Sequence, residues 1–175
     1  VTGIDLAAKS VRLAGSALAY DYLVLALGGG TSYFGHPEWE QFAPGLKSLD
    51  DAMCIRRRIL LAFEIAENAS APAERQRLMT IVVVGGGPTG VELAGAFAEL
   101  TRTVLRKDFR RIDPLQARVV MIEAQPRVLA QFSPALSASA QRQLHALGVE
   151  VRTATKVKSI SKGRVDLENG ETILA

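Results

Sequence analysis

Cysteine is almost missing from this chain: Cys54 stands alone among 175 residues. One thiol cannot form an internal disulfide, and no Cys/His cluster has metal-ligand spacing. A disulfide scaffold, a zinc ribbon and chemistry run by a cysteine pair are therefore excluded within these residues. Cys54 itself falls in a helical pattern and reads as an inert helix thiol. Long apolar runs are lacking as well. The longest have strand length and end in glycine, so no segment reads as a membrane-spanning helix. Net charge is only +3, and no helix-turn-helix, zinc-finger or aromatic RNA-binding signature accompanies it, so no nucleic-acid partner is expected. The opening residues, VTGIDLAAKSVRLAG, lack an initiator methionine and the charged start and apolar core of a signal peptide. They read like the middle of a sheet, and the expectation is a soluble fragment of a longer protein.

What is present is patterned. GIDLAAKSVRLAG gives two brief runs around a turn. YDYLVLALGGGT predicts an apolar strand from Tyr20 to Leu27, stopped by Gly28, Gly29 and Gly30. A strand apolar on both faces fits a buried parallel sheet. Residues 31 to 47 mix aromatics, prolines and glycines without a period and read as a loop or linker, a domain boundary; His36 falls there. A helix is predicted from about 49 to 69, because Ser48 and Asp51 match a capping box and Ile55, Ile59, Ala62, Phe63 and Ala66 share one face. Arg56, Arg57 and Arg58 then form a solvated flank, and NASAPAERQ reads as a loop.

MTIVVV (79–84) predicts a strand, GGGPTG (85–90) a glycine turn and VELAGAFAEL (91–100) a helix. ARVVMIEA (117–124) is a second strand. SASAQRQLHALG (137–148) is a helix that carries His145 and is closed by Gly148. VEVRTATKVKSI alternates like a strand, and VDLENGETIL turns at Asn169-Gly170. This order predicts an α/β fold: a Rossmann-like nucleotide-binding domain with a parallel β-sheet core and a β-hairpin or meander.

Gly85, Gly87 and Gly90 satisfy G-x-G-x-x-G. The pattern alone is weak; a strand directly before it and an Ala/Leu-rich helix directly after it make it specific. Gly85 permits the tight turn, Gly87 lets a pyrophosphate approach the backbone, and Gly90 lets helix and strand pack closely. The helix N-terminus then offers free N–H groups to the phosphates. Pro88 suits the first helical turn through its fixed φ, and Ala94 extends the small-residue face. The fingerprint also wants an acid at the end of the second strand, where Glu123 stands. A carboxylate there accepts hydrogen bonds from the adenosine ribose and repels a 2′-phosphate, so NADH is favoured over NADPH. Ala124 and Gln125 follow it in place of an arginine; Arg127 lies a little farther on.

Glu123 comes 38 residues after Gly85, against a usual gap of about 20. The surplus lies in TRTVLRKDFRRIDPLQA, whose Arg102, Arg106, Lys107, Arg110 and Arg111 read first as a solvated basic surface and second as a membrane or partner contact.

GGGPTGVELAGAFAEL, the insertion ending DFRRIDP, and VVMIEAQPRVL together resemble the type II NADH:quinone dehydrogenases, single-chain flavoproteins of the two-dinucleotide-binding superfamily. The resemblance extends upstream through YDYLVLALGGGTSYFGHPEWEQFAPGLKSLDDA and downstream through QLHALGVEVRTATKV, nearly the whole chain. It implies that residues 1–45 are a short β-rich remnant of a FAD-binding domain with its linker, and that 46–175 are most of the NADH domain. The pyrophosphate residues implied are Gly85, Gly86, Gly87, Pro88, Thr89 and Gly90, with Glu123 as the ribose acid. Ala26, Leu27 and Gly28 match a strand end that approaches FAD through backbone atoms; as bare residues they read as a buried strand ending in a turn. Glu92 has two readings, a first-turn acid stabilised by the helix dipole or the family's glutamate near the nicotinamide–flavin contact.

The cofactors implied are NADH and, in the full-length protein, FAD, with hydride transfer to the flavin and a quinone as final acceptor. No side chain is expected to act as nucleophile or general base. Peripheral attachment to the cytoplasmic side of the inner membrane, through elements beyond these residues, and a homodimer complete the implied partners. Two alternatives stand beside this reading: a ferredoxin- or disulfide-type reductase, and a non-catalytic NADH-binding redox sensor.

Overall fold

The computed structural model describes residues 1–175, which divide into two units, Val1–Gly30 and Thr31–Ala175. In the first, β1 (Gly3–Asp5), β2 (Ser10–Arg12) and β3 (Ala17–Ala19) form an antiparallel meander. Asp5 Oδ1 accepts from Ala7 N and Ala8 N and closes the first turn. The strand expected over Tyr20–Leu27 does not form. Apart from Tyr20 N, which donates to Lys9 O (2.9 Å), and Asp21 O, which accepts from Lys9 Nζ (3.4 Å), the run joins no sheet, and Tyr22, Val24 and Leu27 are 95%, 84% and 84% exposed. A strand apolar on both faces is stable only between hydrogen-bonded neighbours and under two covering layers. The run has the composition of an inner strand and none of its surroundings.

In the second unit, α1 (Leu49–Asn68) starts as expected. Asp51 N donates to Ser48 Oγ (3.1 Å), and Ser48 N donates to Asp51 Oδ2 (2.9 Å). The predicted loop after it instead contains α2 (Pro72–Leu78). Pro72 takes the first helical position, Arg75 Nε donates back to Ala69 O (2.6 Å), and Glu74 pairs with Arg77. Seven residues would not hold a helix alone; these contacts do.

β4 (Thr80–Val84), β5 (Arg118–Ile122) and β6 (Val149–Arg152) form a parallel sheet in that order. α3 (Pro88–Glu99) and α4 (Pro134–Ala146) make the crossovers. α4 begins three residues before its predicted start, at the Ser133 cap and Pro134. VEVRTATKVKSI breaks in two at Ala154, where φ is +50. Its second half, β7 (Val157–Ser161), joins β8 (Arg164–Leu167) and β9 (Thr172–Leu174) in an antiparallel meander.

The parallel sheet is the middle of three layers. On β5, Val119 and Met121 pack with Phe63, Ala94, Phe97 and Leu144 of the helices. Val120 and Ile122 pack with Val165, Leu167 and Ile173 of the meander. That explains why VVMI is apolar without alternation.

The insertion is more ordered than a basic, irregular stretch. α3 runs into a π-turn (Leu100–Val104) and a 3-10 turn (Leu105–Lys107). Leu105 and Ile112 point inward while Arg106, Lys107, Arg110 and Arg111 stay exposed. Phe109 packs on Phe63 at 5.9 Å. Glu67, on α1, accepts N–H bonds of 3.0 Å from Arg110, Arg111 and Ile112. Burial pushes the Glu67 carboxyl up, but those donors and the Arg111 charge outweigh it and hold the group below the usual glutamate range.

A carboxyl more acidic folded than unfolded contributes stability above its unfolded pKa and loses it as pH falls through the folded one. Melting temperatures of the wild type and Glu67→Gln should therefore differ at pH 7 and converge below about pH 4.5. Curves that stay parallel down to pH 3 would mean the charge does not hold the insertion. No helix is long and apolar enough to cross a membrane.

Candidate functional site

β4 leads straight into the glycine turn. Gly85 N donates to Ile122 O (2.8 Å), a last rung that holds the turn beside β5. Gly85 then takes φ +104, open only to glycine at low cost. Gly90 faces back at the strand: a Cβ there would stand 2.0 Å from Gly85 O. Helix and strand meet with no room for a methyl group. Gly87, the N-cap of α3, has the opposite surroundings, since a Cβ there would meet nothing within 4 Å. Pro88 occupies the first helical turn, and both it and Thr89 are exposed.

No side chain caps α3, and its first turn carries no acid, whereas Ser48 and Ser133 cap α1 and α4. The positive end of α3 is thus left open toward an anion over Gly87.

Glu123 follows β5 and reaches the tip of this turn. Its Oε2 accepts from Gly86 N (2.5 Å) and its Oε1 from Gln125 N (2.6 Å). Its backbone N–H donates to Arg152 O (2.8 Å), and its carbonyl accepts from Thr155 N (3.0 Å). The carboxylate is held at both oxygens and the Glu123 backbone at both polar groups, and each carboxylate oxygen keeps a lone pair for a further donor such as a ribose hydroxyl. Beside it lies a cavity of about 340 Å³, lined by Ala124, Ala154, Thr155, Lys156, Glu168 and Asn169. A larger apolar trough of about 600 Å³ runs along β4 and α1 and includes neither Glu123 nor any residue of Gly85–Gly90.

The structure therefore brings Gly85, Gly86, Gly87, Pro88, Thr89, Gly90 and Glu123 together. Glu92 is exposed on α3 and takes no part in this hydrogen-bond network. Ala26, Leu27 and Gly28 belong to the first unit and lie outside any strand.

Residues 1–175 match the pyridine nucleotide-disulphide oxidoreductase family along their whole length. The chain belongs to that family. It is 43% identical over 175 residues to Type II NADH:quinone oxidoreductase Ndh of Mycobacterium tuberculosis, covering 98% of this chain and 38% of that one. With NdhA of the same organism the identity is 44% over 164 residues, 91% of this chain and 35% of that one. The chain thus spans well under half the length of these relatives. The structure of NDH2 from Plasmodium falciparum in complex with NADH superimposes with a TM-score of 0.75 at 27% identity, over 91% of this chain and 34% of that one.

Within these residues Cys54 is a single free thiol. The half of the candidate site that the sequence announces is the glycine turn with its acid. Sequence reasoning missed the supporting loop, 124–133. Leu129 N donates to Gly86 O (2.7 Å), buried Ser137 Oγ donates to Val128 O (2.5 Å), and Arg127 donates to Ala130 O and Phe132 O. Ser133-Pro134, an N-cap followed by an N1 proline, was the one available signal of where this loop ends. Nothing in the sequence pointed to the Thr155–Lys156 wall of the cavity.

Proposed function

We propose that Gly85–Gly90 and Glu123 bind NADH, and that the chain is the NADH-binding part of a FAD-dependent NADH:quinone oxidoreductase. The observation that carries this reading is the bond between Gly86 N and the Glu123 carboxylate, which sets a ribose acceptor at the tip of an open, uncapped phosphate turn. The residues fit the group. Gly87 leaves the space a pyrophosphate needs, α3 supplies the N–H donors and dipole, and Glu123 supplies acceptors for the adenosine ribose. NADH bound there would supply a hydride, the reductant that a FAD-dependent NADH:quinone oxidoreductase requires. The chain's own residues bind and orient; none donates or removes a proton.

Similarity to the mycobacterial NADH:quinone oxidoreductases supports the quinone as acceptor. On this reading residues 1–45 are a FAD-domain segment with its linker and 46–175 the NADH domain. Ala26, Leu27 and Gly28 would meet the flavin once the first unit is joined to the rest of a FAD fold, and Glu92 would face the nicotinamide end of the dinucleotide. The whole enzyme would sit peripherally on the cytoplasmic side of the inner membrane, as a homodimer. Calorimetric titration with NADH and, separately, NADPH tests the site. NADH is expected to bind at least about tenfold tighter, the discrimination a like charge at the 2′ position provides. Equal affinity for the two, or binding of neither, would sink the assignment.

A further inference from the structure

We propose that Arg127 is a positioning residue for the dinucleotide, acting on the glycine turn through the loop it folds, and not a ligand for phosphate. The proposal rests on the NADH reading of Gly85–Gly90 and Glu123. Four residues beyond the ribose acid, Arg127 is the cation that the sequence offers most readily to a 2′-phosphate. The structure uses it otherwise. Half-buried, it donates from Nη1 to Phe132 O (2.8 Å) and from Nη2 to Ala130 O (2.6 Å). Both arms of the planar fork are engaged at once by fixed carbonyls. Swinging toward a ribose would break both bonds.

These bonds close the loop at a place where the backbone resists closure. Leu129 sits between the Arg127 guanidinium and its acceptors in a left-handed conformation, φ +51, and Phe132 N donates to Leu129 O (2.9 Å). Held there, Leu129 turns its own N–H onto Gly86 O at 2.7 Å. The N–H of the same glycine goes to Glu123 Oε2. Gly86 is therefore gripped through both backbone polar groups by the segment 123–129, and fully buried Val128 fills the space beside it, leaving a Cβ at Gly86 only 3.0 Å from Val128 Cγ1. The next residue is Gly87, over which the pyrophosphate approaches. Arg127 thus sets the Leu129 turn, the Leu129 turn sets the Gly86 peptide, and the Gly86 peptide orients the phosphate-facing backbone.

This arrangement has a signature that phosphate ligation lacks. Because Arg127 acts on the turn shared by both nucleotides, its loss weakens NADH and NADPH by the same factor. Calorimetric titration of the wild type, Arg127→Met and Arg127→Lys with each nucleotide reads it, with a thermal melt of each variant to confirm folding. Arg127→Met should raise both dissociation constants about tenfold, as expected when one hydrogen bond in the turn is misplaced, with their ratio unchanged. Arg127→Lys should recover only part of the loss, since an ammonium cannot span two carbonyls as the fork does.

Weakening confined to NADPH would overturn the proposal and make Arg127 a phosphate ligand. Full recovery by lysine would overturn it in favour of a diffuse charge effect, and unchanged affinity in Arg127→Met would leave Arg127 no role. Should Arg127→Met fail to fold, Arg127→Gln and Arg127→Lys carry the same comparison of ratios. A wild type that binds no NADH refutes the site reading itself; a wild type that binds while the variants match it refutes only Arg127.

Discussion

Replacing Gly90 by alanine should lower the melting temperature by about 10 °C, taking roughly 3 kcal/mol for the overpacking and a few degrees per kcal/mol at this chain length. The added Cβ would stand 2.0 Å from Gly85 O. That oxygen is backbone in the tight turn between β4 and α3, so it cannot rotate away as a side-chain tip would. Relief requires α3 to lift off the sheet, and Ala94 and Phe97, which pack from α3 into the helical core, would lift with it. Gly87→Ala should behave in the opposite way. Gly87 has φ −74 and ψ −179, which any residue adopts, and its Cβ would enter open space. The fold should melt like the wild type while NADH affinity falls roughly a hundredfold, because the methyl occupies the approach of the pyrophosphate. Melting curves and titrations on the two variants separate packing from ligand space within one turn. Wild-type NADH affinity in Gly87→Ala would mean that the phosphates do not pass over this residue.

Glu123 has the second large expected effect, and on the proposed reading its carboxylate has two roles. It accepts from the buried Gly86 N and from Gln125 N, and it presents the negative charge that a 2′-phosphate would meet. Glu123→Ala removes both; a buried amide left without an acceptor costs about 1–3 kcal/mol. NADH affinity should then fall by between about tenfold and a hundredfold. Glu123→Gln keeps one acceptor oxygen and the side-chain shape but loses the charge. Its affinity for NADH should drop less, and the preference over NADPH should collapse toward equality, since the repulsion that enforced it is gone. Dissociation constants for both nucleotides in both variants give the answer. A preference that survives in Glu123→Gln would place discrimination in the shape of the 124–133 loop and not in charge.

The parts of the site legible in the sequence were those whose chemistry is local. Gly85 and Gly90 each answer to a constraint within six residues, and Ser48 and Asp51 to one helical turn. Glu123 was legible through strand context despite its unusual distance from the turn. What escaped was set by individual hydrogen bonds that composition and periodicity do not announce. α2 depends on Arg75 reaching back to Ala69, and Leu129 adopts positive φ because Gly86 O and the Arg127 fork hold it there. The opposite failure occurred at Tyr20–Leu27, where local composition spoke for a strand and the neighbours that would stabilise one are not supplied. Propensity describes what a segment can do in a sheet; only pairing decides whether it does.

The three-layer arrangement around β5 also bears on how the second unit assembles. Val119 and Met121 gain their burial only when the helices arrive, and Val120 and Ile122 only when the meander arrives. Pairing with β4 brings together Thr80 and Arg118, far apart in sequence, while the meander pairs residues close in sequence. The meander can therefore form early on local contacts, but β5 stays half-wet until the last layer docks. Its amides should exchange among the slowest of the unit, and the glycine turn, tied to Ile122 through Gly85 N, should share that protection in a hydrogen-exchange measurement.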